Sequence, residues 1–264
     1  MRTMVYNILE GGLGRIDPIC EVIRHADPDV IILPETWVAD EFEKLADRLK
    51  MEMFQAESPR NPRGHIGLLS RLPLLQAVNF GPLDERLTRS AFQALVQDKH
   101  GPMGIIGVHL HAKESMKDEQ IRVRELDAVL AMAVPFKSVP HIIAGDFNAQ
   151  HPQQRIDLNK APNFIKQRLG TDAQGTLPEQ LPRDAIAKML TAGYTDAHAI
   201  GRQPEAFEPT FTTAHPVFRL DYIFLSPHLQ HAVSSCRSVC HPMTRFASDH
   251  LPVLAEVNME FVGR

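Results

Sequence analysis

Cysteine is scarce in this 264-residue sequence, and Cys20, Cys236 and Cys240 form no metal-ligand spacing with one another. An odd count of three argues against a disulfide framework and fits a reducing compartment. Long apolar runs are also missing. The longest, such as Val30 to Leu33, are strand-sized, so no integral membrane segment is expected. Met1 runs almost directly into Thr3-Met4-Val5-Tyr6, without the basic and apolar regions of a secretory leader, and the expectation is a cytoplasmic protein. Aromatics are few, which predicts an aliphatic core, and a formal net charge of -4 argues against the globally basic surface of a counterion-releasing nucleic-acid binder. A local basic groove remains compatible with that total. No repeat, low-complexity tract or linker interrupts the chain, so one domain over residues 1–264 is the expectation, with no obligate protein partner inferred.

What is present is a succession of short apolar runs punctuated by Gly and Pro. After the first strand, Gly11-Gly12-Leu13-Gly14 reads as a turn, and Asp17-Pro18 as an N-cap followed by proline at the first helical position, opening a helix to about Ala26. Val30 to Leu33 is a buried strand ending at Pro34-Glu35. Asp40 to Lys50 is a helix with Phe42, Leu45, Ala46 and Leu49 on one face. Strands follow at Met53 to Ala56, Ile66 to Leu69, Leu74 to Phe80, Ala91 to Val96 and Met103 to Leu110. A helix over Lys117 to Val134 precedes the strand His141 to Ala144. From His151 to Pro182 the pattern weakens into a loop-rich excursion with one helix around Asn163 to Leu169. Strands return at Thr210 to Thr213, Leu220 to Leu225, Ala232 to Val239 and Leu251 to Val257. Helix and strand alternate early and hairpins dominate later, which predicts a four-layered α/β/β/α sandwich of two mixed, mainly antiparallel sheets flanked by helices.

The polar residues that stand out sit at strand ends: Asn7, Glu35, His109, Asp146 with Asn148, Asp221, and Asp249 with His250. Strand ends place side chains on the rim of a sheet, where distant segments can converge on one pocket. Any one of them is more often a turn or cap residue than a catalyst. The set points elsewhere. The oxygen donors Glu35, Asp249 and Asn7 suit Mg²⁺ or Mn²⁺, and the absence of Cys/His spacing disfavours structural zinc. A phosphoester is the natural substrate of such a site.

Six segments then carry a resemblance: Tyr6-Asn7, Leu33-Pro34-Glu35-Thr36, Gly107-Val108-His109-Leu110, Gly145-Asp146-Phe147-Asn148-Ala149, Arg219-Leu220-Asp221-Tyr222-Ile223 and Ser248-Asp249-His250-Leu251-Pro252. In this order, over nearly the whole chain, they resemble the endonuclease/exonuclease/phosphatase superfamily, which includes deoxyribonuclease I, abasic-site endonucleases, neutral sphingomyelinases and inositol polyphosphate 5-phosphatases. The resemblance implies the deoxyribonuclease I-like fold and a phosphoester hydrolase. It implies that Glu35 is the principal metal carboxylate, with Asn7 and Asp249 completing the metal environment directly or through water. It further implies that Asp146 orients or deprotonates the attacking water, that Asn148 holds a phosphate oxygen or that water, and that His250, positioned by Asp221, donates to the phosphoryl oxygens. Whether Asp146 or His250 takes the proton stays open. His109 is expected to contact phosphate, with Arg89 as a further substrate contact.

Bland readings stand beside these. His111 is expected to face solvent, Trp37 to pack at the core or rim, and the Gly11 to Gly14 turn either to cradle phosphate or only to lead into the helix. Arg60, Arg63, Arg86, Arg89, Lys113, Lys117 and Arg245 form either an anionic-substrate rim or a solvated surface. Pro34 stands where many relatives have glutamine, and no long basic insertion with interleaved aromatics is present. The leading expectation is a phosphodiesterase whose substrate is a small molecule, lipid-derived or nucleic acid. A phosphomonoesterase or phosphotriesterase is the second reading, and a catalytically silent binding module the third. The 151–182 stretch and the Asp84 to Arg89 loop are expected to border the cleft.

Overall fold

The computed structural model describes residues 1–169, 178, 181–203 and 206–261. The strands are β1 (Arg2–Val5), β2 (Val30–Pro34), β3 (Glu52–Ala56), β4 (Ile66–Ser70), β5 (Leu74–Asn79), β6 (Ala91–Asp98), β7 (Gly101–His109), β8 (His141–Asp146), β9 (Thr195–Asp196), β10 (Asp221–Leu225), β11 (Val233–Ser238) and β12 (Val253–Val257). The helices are α1 (Ile16–Ala26), α2 (Ala39–Leu49), α3 (Met116–Met132), α4 (Asn163–Leu169), α5 (Asp184–Thr191) and α6 (Thr244–Ala247). Two six-stranded sheets form, in the orders β11-β12-β1-β2-β4-β3 and β5-β6-β7-β8-β10-β9. This is the α/β sandwich expected from the sequence.

Period-two alternation builds the layers. In β2, Val30 and Ile32 point between the sheets, while Ile31 and Leu33 pack with Ile19, Ile23, Phe42 and Leu45 of α1 and α2. In β8, Ile142 and Ala144 enter the same inter-sheet core and Ile143 turns toward Leu126 and Val129 of α3 and Ile186 of α5.

Among the described residues, each sheet holds one parallel pair, β1 with β2 and β7 with β8; every other strand pairing is antiparallel. This topology positions the site. Parallel pairing brings the C-terminal ends of β1 and β2, and of β7 and β8, to a common edge, where Asn7, Glu35, His109 and Asp146 lie. Antiparallel β10 and β12 bring their N-terminal ends to that edge, with Asp221 opposite Asp146 and Val253 opposite Val5.

Several local expectations are corrected. Helix α1 starts at Ile16 after Arg15, which makes no side-chain cap. Asp17 and Pro18 therefore lie inside the first turn, where a missing N–H leaves no helical bond unmade. Thr210 to Thr213 is not a strand: Phe211 makes only isolated bridges to Phe218 and His250. Helix α5 was not anticipated, although Ala185, Ile186 and Met189 give it a short buried face. The α3 N-terminus is held by a capping box between Ser115 and Asp118. Ser115→Ala should lower stability by about 1 kcal/mol, as loss of an N-cap oxygen does. Urea denaturation checks this; an unchanged midpoint would show that Asp118 alone suffices.

Candidate active site

The site is assembled from short turns that follow these strand ends. Asn7 is buried, and its amide Nδ2 donates to Glu35 Oε1 (3.2 Å) and to Asp146 Oδ2 (3.1 Å), bridging the two sheets. Its Oδ1 accepts the Leu9 N–H at 3.0 Å, so the amide's donor side faces the carboxylates. Glu35 adopts a left-handed backbone (φ 68°), and its Oε2 accepts the Glu10 N–H at 2.8 Å. The glycine turn thus serves Glu35. Gly11 donates its N–H to the Glu35 carbonyl, and a Cβ at Gly11 would meet the Val38 side chain at 2.3 Å.

Asp146 Oδ1 accepts the Asn148 N–H at 2.9 Å, with Asn148 at φ 48°; the Asn148 Nδ2 donates to the Leu110 carbonyl. His250 Nδ1 donates to Asp221 Oδ2 at 2.8 Å, and its Nε2 lies 4.0 Å from Asp146 Oδ2. Ser248 fixes this turn, donating its hydroxyl to the Asn7 carbonyl and accepting the His250 N–H. His109 Nε2 contacts Arg89 and stands 3.6 Å from Asp146 Oδ2.

Electrostatics separates these groups. Burial opposes charge on His250, but the charge and hydrogen bond of Asp221, with Asp146 and Asp249 behind them, push its pKa up to about 10. It is an imidazolium at neutral pH. Burial and then the Asp221 charge raise the Asp146 carboxyl, against the opposing pull of His250 and Arg89. His109 goes the other way: burial, then Arg89 and His250, hold it well below the usual histidine range. It is neutral, so its approach to Asp146 is not an ion pair. Burial raises Asp249, and the Glu35 carboxylate adds to the effect.

Two arrangements of donors could receive a cation. Donor atoms of Asp146, Asp221 and His250 lie within 4.8 Å of one another. There, however, His250 carries a proton and is already bonded to Asp221, which opposes a second positive charge. Glu35 and Asp249 fit better, because they are oxygen donors, they repel one another, and neither has an ion pair among the described residues.

The cleft encloses about 170 Å³ and is lined by Glu35, Asp146, Asn148, Asp249, His250, His109 and Arg89, with Lys113 at its edge. Leu181 and Pro182 also line it, so described parts of both expected loops border the cleft. One wall is apolar: Phe211, Phe218 and Leu220 contribute, and the Phe211 ring lies 4.9 Å from that of His250. Phe211 was missed because its segment reads as an ordinary strand.

The rim cations sort themselves. Arg60 donates to the carbonyls of Gly81, Asp84 and Leu87, Arg86 pairs with Asp84, and Arg63 lies over Trp37, neither of which lines the cleft. Arg245 lies over Phe246. Of the seven considered in sequence, only Arg89, Lys113 and no other line the cleft. His111 does not simply face solvent; its Nε2 meets Asp118 Oδ1 at 2.9 Å.

A four-layered sandwich with carboxylates, amides and a histidine–aspartate pair converging on one sheet edge defines a deoxyribonuclease I-like hydrolase fold. The chain belongs to the Endonuclease/Exonuclease/phosphatase family, whose sequence profile matches residues 4–250. The family's members are phosphoester hydrolases that use divalent metals. Solved structures that share the fold include an endonuclease/exonuclease/phosphatase from Beutenbergia cavernae DSM 12333, 22% identical with a TM-score of 0.70 over 98% of this chain and 72% of that one. An AP endonuclease from Archaeoglobus fulgidus is 17% identical, with a TM-score of 0.72 over 97% and 99% of the two chains. A 3'-5' exonuclease from Neisseria meningitidis is 20% identical, with a TM-score of 0.69 over 98% and 100%. No curated protein matches the sequence significantly. Among the described residues, no helix is long and apolar enough to cross a membrane.

Proposed function

We propose that this protein is a divalent-metal-dependent phosphodiesterase. The observation that carries the reading is the pairing of an imidazolium, His250 held by Asp221, with two carboxylates, Glu35 and Asp249, that form no ion pair among the described residues. Glu35 and Asp249 would hold Mg²⁺ or Mn²⁺. Asn7 would orient Glu35 and Asp146 through its amide beside the cation. When bound, the metal supplies positive charge to the phosphoryl oxygens.

The remaining chemistry falls to the chain's own groups. His250, already protonated, donates from Nε2 to a phosphoryl oxygen, leaving Asp146 to accept the proton of the attacking water. Burial suits Asp146 to that task, because it strengthens the carboxylate as a base. Asn148 positions the water or a phosphoryl oxygen. Arg89 and His109 receive the remaining oxygens. The apolar wall of Phe211, Phe218 and Leu220 favours a diester over a monoester, since a diester brings a second substituent to cover it.

The test is a substrate panel with Mg²⁺ and Mn²⁺: bis-p-nitrophenyl phosphate, p-nitrophenyl phosphate, plasmid, abasic DNA and sphingomyelin. Nucleic acids belong in it because proteins of similar fold include an AP endonuclease and an exonuclease. The diester should be cleaved faster than the monoester, and exhaustive chelation should abolish turnover. Faster monoester cleavage would overturn the diester reading. Full activity after chelation would overturn the metal.

A further inference from the structure

Helix α3 buries charge where its position in a layered fold calls for hydrocarbon. Glu119, Arg122 and Glu125, spaced three residues apart, form one buried face of the helix. Burying ionised groups is costly unless their hydrogen-bonding capacity is filled, and an apolar face would serve stability at least as well. Such a face therefore has to be explained by what it holds.

Glu125 is 1% exposed, and both of its oxygens are engaged by backbone from two different loops. Oε1 accepts the Thr88 N–H (2.9 Å) and the Thr88 hydroxyl (2.6 Å); Oε2 accepts the His111 N–H (2.8 Å). Thr88 precedes Arg89, and His111 lies two residues beyond His109. One carboxylate thus ties together the two segments that present the Arg89–His109 pair to the cleft. Arg122 reinforces the second segment, donating to the carbonyls of His111 (3.0 Å) and Lys113 (2.6 Å) while pairing with Glu119 (2.7 Å). Lys113 is held there at φ 83°, a backbone conformation that a lysine adopts only when its surroundings impose it.

We infer that Glu125 is a positioning residue for phosphate binding: it fixes Thr88 and His111 so that Arg89 and His109 meet at the cleft. Arg89 forms no ion pair among the described residues and lines the cleft, where its charge is available to an anion, and its aim depends on the segment that Glu125 anchors. Charge-assisted bonds to backbone N–H groups give that anchor both strength and direction. The inference rests on the proposed reading of Arg89 and His109 as phosphate contacts.

The test is a double-mutant cycle read by calorimetric binding of inorganic phosphate and of bis-p-nitrophenyl phosphate, alongside kcat and KM for the diester. Glu125→Gln keeps the volume but leaves an amide NH₂ facing a backbone donor. It should weaken phosphate binding and raise KM by about tenfold, with kcat changed less, and Arg89→Ala should do at least as much. In the Arg89→Ala background, Glu125→Gln should add less than about a twofold loss, because residues that act through one another are non-additive. Thr88→Val removes a single bond to Glu125. It should show a smaller effect of the same kind, also lost in the Arg89→Ala background, and it carries the test if Glu125→Gln does not fold. Unchanged binding in a folded Glu125→Gln protein, or losses that multiply in the double variants, would overturn the inference. If the binding cycle comes out as expected while no diester is cleaved, the phosphodiesterase reading fails and the role of Glu125 stands.

Discussion

Asp221→Asn and His250→Ala should each lower kcat on a diester by on the order of 10²-fold or more, as removal of one preorganised transition-state donor does. The two side chains meet at 2.8 Å with both residues buried, and the Asp221 charge is the largest influence that keeps the imidazole protonated against burial. Asparagine at 221 retains the shape but not the charge. The double variant should therefore be little worse than the more damaged single, because neither residue contributes without the other. The defect should also depend on pH. In the native protein the imidazolium persists until the pH rises through about 10. Without the Asp221 charge that pKa falls, so the Asp221→Asn loss should be smallest near pH 6 and grow as pH increases. Measuring kcat for all four members across pH 6–9 is the test. Fully multiplicative losses, or a defect independent of pH, would require the partnership to be abandoned.

Glu35→Gln should reduce metal-supported turnover by on the order of 10³-fold, the equivalent of the several kcal/mol that a bound cation supplies to phosphoryl transfer. The substitution deletes ligand charge with little change of volume. It also turns one oxygen that now accepts from Asn7 or from Glu10 into a donor, so a small structural disturbance accompanies the loss. The two contributions separate by titrating Mg²⁺ and Mn²⁺: a metal ligand shifts the activating concentration upward, whereas disturbance of Asn7 alone lowers the plateau. Because burial and, in addition, the Glu35 charge raise the Asp249 carboxyl, against the pull of His250, removing the Glu35 charge should ease its ionisation. Wild-type activity in a folded Glu35→Gln protein would show that the cation is held elsewhere, with Asp146, Asp221 and His250 the next candidates.

The strands and the long helices were legible because alternation and helical spacing leave a direct mark on residue type, as in Val30 to Leu33 and His141 to Ala144. Boundaries and short elements were less so. Asp17-Pro18 has the composition of a helix start, yet the helix begins earlier, at Ile16, next to an Arg15 whose side chain is tied to the Ala247 carbonyl, 232 positions away. Thr210 to Thr213 has β-forming residues, but Phe211 finds only isolated bridges beside Phe218 and His250.

For the candidate site, the motifs proposed residues of particular chemical types: oxygen donors, one histidine after an aspartate, and a second aspartate at the start of a strand, which the fold brings to one cleft. Sequence alone could not say which side of Asn7 faces the carboxylates, which proton state each histidine takes, or which scattered arginine reaches the cleft. Those are matters of distance between residues far apart in the chain. The sequence by itself determined the layered fold, through periodicity, and the identity of the polar strand ends. Only the tertiary structure decided that Asp221 charges His250 while burial, and then Arg89, keep His109 neutral, and that Glu125 lies beneath both loops. Two parallel strand pairs and a shared sheet edge set those separations, and electrostatic and hydrogen-bond energies depend on separation and burial rather than on residue type.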